Sequence, residues 1–120
     1  MKKTIAALCL CALGSAHAAW SGNNLLKLKN EAGEEGARMI SSYAQGVLDF
    51  ETFAEAMTRT ERHGDGHLNV CVRDGVTADQ AGAVLIKYLE EHPDMSDAPA
   101  VLLAHSAFLK AWPCAKQAAQ

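Results

Sequence analysis

Thr77-Ala78-Asp79-Gln80-Ala81-Gly82-Ala83-Val84-Leu85-Ile86-Lys87-Tyr88-Leu89-Glu90-Glu91-His92-Pro93 reads as a helix with both of its ends marked. Thr77 is an N-cap, and Gln80 three residues on completes a capping box that serves the unpaired N–H groups of the first turn. Asp79 places negative charge where the helix dipole is positive. Ala81, Val84, Leu85, Tyr88 and Leu89 recur at helical spacing and make one apolar face. Pro93 ends the helix, because its ring lacks an N–H and clashes with the preceding turn.

Three more helical stretches surround this one. Downstream, Ser96 reads as a cap with Asp97 and Pro99 in the first turn, and Val101, Leu102, His105, Phe108, Leu109 and Trp112 form the face before Pro113. Upstream, Gly36, Ile40, Tyr43, Val47, Phe50, Ala54 and Met57 alternate spacings of four and three, one stripe along a long helix. Gly46 beside that stripe would let a second helix approach closely. Thr52 after Asp49 leaves two readings open, one continuous helix or a kinked pair. The stripe itself suits an intramolecular core or a seam between two copies, and a chain this short favours the core. Asn23 to Asn30 is a further short helix. Glu61 to Val76 is the one long loop, and Ala115 to Gln120 a frayed tail.

The first residues read as an address. Met1-Lys2-Lys3 is a basic start, Ile5 to Leu13 is an apolar run, and Ala16-His17-Ala18 fits signal-peptidase cleavage before Ala19. Nine apolar residues followed by Gly14-Ser15 are too few to span a bilayer, which needs roughly 20. Neither Cys9 nor Cys11 follows the small residue a lipoprotein anchor requires. Residues 1–18 are therefore expected to be a cleaved secretory signal, and 19–120 a single domain.

Cleavage changes the charge and the cysteine count. The chain has 11 basic and 14 acidic residues and a net charge of −3; losing Lys2 and Lys3 leaves nine against fourteen, a net −5. That balance argues against nucleic acid as a partner. Four cysteines become two, Cys71 and Cys114. In an oxidising compartment a pair is expected to be bridged, closing a loop of about 44 residues and stabilising the fold by about 4 kcal/mol. Zinc is a poor rival, since neither cysteine has a nearby second ligand in C-x-x-C spacing. The bridge joins the end of the last helix to the start of the preceding one, natural for two antiparallel helices joined near Pro93. The fold class is all-α: a small bundle of about four helices with one disulfide.

Catalytic patterns are thin, and an enzyme would need a site invisible in sequence. There is no G-x-S-x-G elbow, Walker loop or H-E-x-x-H, and the bridge removes both cysteines as nucleophiles. Glu34/Glu35 and Glu90/Glu91 are adjacent, so they point about 100° apart on a helix and cannot share one substrate. No enzyme, cofactor or metal is predicted. His63-Gly64-Asp65-Gly66-His67 could present three metal ligands, contact a partner through His63, Asp65 and His67, or be a plain glycine-rich turn. The polar corner Glu90, Glu91, His92 and Asp94 is either a solvated helix end or an acidic contact patch. His105, on an apolar face, reads as a core histidine with one satisfied nitrogen, with pH sensing as the alternative.

Taken in order, these features resemble a known family. Ser42-Tyr43-Ala44-Gln45-Gly46-Val47-Leu48-Asp49 is followed by Cys71-Val72-Arg73-Asp74-Gly75-Val76-Thr77 with Gln80, then Lys87-Tyr88-Leu89 and His92-Pro93, and finally Trp112-Pro113-Cys114. The set is similar to the Rap/Tai family of immunity proteins, which bacteria export to the periplasm against peptidoglycan amidases delivered by type VI secretion. The resemblance implies a small helical protein, often dimeric, that blocks the amidase's active-site cleft. It carries over the segment Tyr43, Gly46 and Asp49 and the pair Cys71 and Cys114. Many relatives have further cysteines in the first two helices, which this chain lacks, and Arg73 stands where a proline is frequent. The loop 61–69 and the turn 90–97 are the two features that could enter a partner's cleft. A periplasmic acid-stress chaperone that binds unfolded clients shares the same outline and is the alternative.

Overall fold

The computed structural model describes residues 19–61 and 70–114. Within them lie three helices: α1 (Gly22–Glu61), α2 (Ala78–Glu91) and α3 (Ala100–Ala111), with a 3-10 turn at Pro93–Met95. There is no strand among the described residues, only two isolated antiparallel bridges, Ser21 with Pro99 and Val70 with Pro113. The four helical stretches expected from the sequence are present among the described residues, the first two running as one element, α1. The two upstream stretches are both helical, but they are joined through a bend at Gly33, whose φ of 54° and ψ of −124° favour glycine. The bend folds the two arms of α1 onto each other. Gly36 abuts the backbone carbonyl of Leu28, where a Cβ would collide. No kink occurs at Thr52, whose hydroxyl donates to the Leu48 carbonyl at 2.9 Å inside the same helix.

The capping box at α2 is present as read. The Gln80 N–H donates to Thr77 Oγ1 at 3.2 Å, and the Thr77 N–H donates to Gln80 Oε1 at 2.9 Å. Ala81, Leu85 and Leu89 are buried against Leu25, Ile40, Ala44 and Leu48 of α1 and Leu103, Ala104, Ala107 and Phe108 of α3. Gly82 lets α2 pass close to α1, because a Cβ there would meet Ser41 Cα at 2.8 Å. Gly46 does not have the role expected of it. It is exposed, with nothing within 4 Å of where its Cβ would stand.

Two further expectations shift. The long stripe holds at Gly36, Ile40 and Val47, but Phe50 and Met57 are exposed, and Leu48 and Glu51 take the buried positions. At 1.5 Å per residue the arm after Gly33 is about 42 Å long, whereas α2 and α3 are about 20 Å each, so α1 outruns its partners. α3 begins at Ala100 rather than at Ser96, with Pro99 at the N-cap. Main-chain bonds hold 96–100 against the start of α1: Gly22 N–H to Ala98 O (3.1 Å), Asn23 N–H to Ser96 O (2.8 Å) and Ala100 N–H to Trp20 O. Ser96 instead donates its hydroxyl to Pro93 O. The helix that results buries Ala100, Leu103, Ala104, Ala107 and Phe108, and leaves Val101 and Leu102 in solvent.

Cys71 and Cys114 are bridged, with Cα atoms 4.8 Å apart. The Cys71 N–H donates to Trp112 O at 2.8 Å beside the Val70–Pro113 bridge, so sulfur and main chain together tie the approach to α2 to the end of α3.

Candidate partner-binding surface

The α2–α3 turn is short because Pro93, unable to continue α2, starts the 3-10 turn instead. Its polar residues differ in how freely they face solvent. Glu91 lies between Lys87 Nζ (3.8 Å) and Lys110 Nζ (3.6 Å), an exposed arrangement worth little stability. The three residues stand at a cleft of about 290 Å³ lined also by Val84, Tyr88, Ala107 and Ala111. His92 is the C-cap of α2. Its Nδ1–H donates to Tyr88 O at 2.8 Å, and its ring stacks on Tyr88 with centroids 4.1 Å apart. Asp94 is exposed in the turn and makes no ion pair with a described residue, whereas Asp97 accepts from the Asn23 amide. The structure therefore brings Glu91, His92 and Asp94 to one end of the molecule, with two of the three already engaged. His63, Asp65 and His67 lie outside the described residues.

The Tyr43, Gly46 and Asp49 segment lies along α1 without forming a cluster. Tyr43 lines a cleft of about 220 Å³ between the two arms of α1, with Trp20, Leu25, Leu28 and Met39. Burial pushes its phenol above the ordinary value of 10.0, since the phenolate loses water there. Asp49 is exposed and accepts from the Gln45 amide at 2.8 Å. Trp112 packs against Phe108 and caps α3, its N–H donating to Phe108 O at 2.7 Å.

One feature was legible only in part, through Tyr43, Phe50 and Met57 of the expected stripe, and a second escaped the sequence reading. Met39, Tyr43, Gly46, Phe50, Phe53 and Met57 follow spacings of 4, 3, 4, 3 and 4 along α1, and all but half-buried Tyr43 are exposed. Their rhythm is the same as that of the expected stripe, so spacing alone cannot separate a core face from an outward one. The second is Glu51, the one charged side chain buried among the described residues, whose Oε1 lies 2.8 Å from His105 Nδ1. A glutamate at a core-register position next to an apolar run was the available signal.

The described residues contain no group of three or more side chains able to hold a metal ion, and no described helix is long and apolar enough to cross a membrane. What the surface offers is contact: a polar turn at the end of α2 and an apolar face along α1. The sequence profile of the family described as Rap1a immunity proteins matches residues 6–114. No curated protein and no solved structure matches the chain.

Proposed function

The chain belongs to the Rap1a immunity protein family, and on that premise we propose that it binds and inhibits a peptidoglycan amidase delivered by type VI secretion, blocking the enzyme's active-site cleft. The family match across residues 6–114 carries this reading. In this reading residues 1–18 direct export to the periplasm and are removed, so the single domain starting at Ala19 meets the effector where its substrate is. An inhibitor of this kind needs no catalysis, cofactor or metal of its own. It needs a stiff scaffold that positions contact groups in advance, because groups ordered before binding cost less affinity.

The disulfide supplies stiffness where the approach to α2 meets the end of α3, and the main-chain clamp between 20–23 and 96–100 supplies it at the opposite end, where α2 turns into α3. The turn with Glu91, His92 and Asp94 projects from it, and the loop with His63, Asp65 and His67 is assigned to the same task. The exposed stripe from Met39 to Met57 is the surface for pairing two copies, since its heptad spacing suits a second identical helix and Gly46 permits close approach at its middle. Purified amidase effectors are incubated with peptidoglycan with and without this protein. Hydrolysis by the cognate enzyme is expected to stop at stoichiometric excess; undiminished hydrolysis by every amidase effector tried would remove the reading.

A further inference from the structure

Glu51 is expensive where it stands. It is only 7% exposed; one carboxylate oxygen accepts from His105, and the other is buried with no hydrogen-bond partner among the described residues. A buried carboxylate with unmet hydrogen-bonding capacity costs stability, and an apolar side chain of similar volume would serve the packing at least as well. The carboxylate does, however, fix its neighbour. A carboxylate oxygen accepts, so His105 Nδ1 carries the proton, the ring orientation is set, and Nε2 is the nitrogen left for another molecule. The His105 side chain is 36% exposed, within reach of a partner.

The surroundings are those of a contact surface. Val101 and Leu102 precede His105 by four and three residues, so they share its side of α3, and Leu102 is 58% exposed. α3 does not need them for its own core, which Ala100, Leu103, Ala104, Ala107 and Phe108 complete. Met95, in the 3-10 turn that precedes α3, is exposed too, so the turn assigned to the effector also carries an apolar side chain. Apolar side chains around one pre-oriented polar group is the composition of an interface hot spot.

We propose that Val101, Leu102 and His105 form a specificity-setting part of the effector interface, with Glu51 as the positioning residue behind His105. The occupant is the effector: an apolar contact carrying an N–H or O–H donor to His105 Nε2, on a basic face that complements the acidic chain. This rests on the reading that the chain binds an amidase.

The test is calorimetric titration of the amidase that the protein inhibits, with wild type, Leu102→Asp, His105→Ala, Glu51→Leu, Glu51→Gln and the Glu51→Leu/His105→Ala double variant, each checked for folding by circular dichroism. Leu102→Asp and His105→Ala are each expected to weaken binding about tenfold or more. Glu51→Leu should do the same, Glu51→Gln, which keeps an acceptor for Nδ1–H, should retain most of the affinity, and the double variant should bind no worse than His105→Ala alone. Folded variants that bind like wild type overturn the proposal while leaving the parent reading intact. Independent, additive losses from Glu51→Leu and His105→Ala overturn the positioning role. A Leu102→Asp effect on self-association but not on amidase affinity assigns the face to a second copy instead. A wild-type protein that binds no amidase overturns the parent reading and this one with it.

Discussion

The two ends of α1 share one helical rhythm and have opposite surroundings. Up to Leu48 it packs under α2 and α3, with Leu25, Ile40 and Ala44 fully buried and Met39 the one large apolar side chain left exposed. From Phe50 onward the same spacing carries Phe50 at 64% and Phe53 at 60% exposure. Burial is thus decided by what lies alongside a helix, and the partners of α1 are too short to accompany it. The sealed end supplies stability. The open end supplies surface, and the polar pair Glu51–His105 marks the border between them.

That contrast can be broken by mutation, beginning where the effect is largest. Replacing Cys71 and Cys114 by serine frees the loop that ties α3 to the approach to α2, and urea unfolding should show a loss of about 4 kcal/mol. Leu85→Ala empties a fully buried position and should cost about 3 kcal/mol by the same measurement. Thr77→Ala removes half of the capping box and should cost about 1 kcal/mol. Phe53→Ala, on the open end, should change stability by less than about 0.5 kcal/mol while lowering self-association in analytical ultracentrifugation. Equal losses from Leu85→Ala and Phe53→Ala would erase the distinction between the two ends.

Tyr43 offers a finer probe of the sealed region. Its pKa is raised in the folded state, so the stabilisation it brings is complete below the unfolded value of 10.0 and disappears as pH rises through the folded value. Unfolding followed across that alkaline range should show a steeper decline for wild type than for Tyr43→Phe.

Local signals were legible where the chemistry is local. The Thr77–Gln80 box, the stop at Pro93 and the Cys71–Cys114 pair each depend on neighbours in sequence or on simple counting, and each is present in the fold. Signals that depend on distant partners were not. Ser96 has a capping side chain, yet main-chain bonds from Trp20, Gly22 and Asn23 hold its segment out of the helix. The face of α3 was misread because Ala100, Ala104 and Ala107 form the close-packed side, and alanine weighs little in a search for large apolar residues. Gly46 and Gly82 are alike in sequence, but only Gly82 lies where a second helix crosses. Glu51 stands at a core-register position, but its role as a site depends on His105, 54 residues away.

Survival of a bacterium carrying a periplasm-directed amidase effector tests the central claim most directly. On the proposed function, cells producing the full chain should survive, since residues 1–18 would carry it to the compartment where the cell wall is being cut. Cells producing only residues 19–120 should lyse. Lysis despite correctly exported, folded full-length protein, with every type VI amidase supplied in turn, would contradict the account.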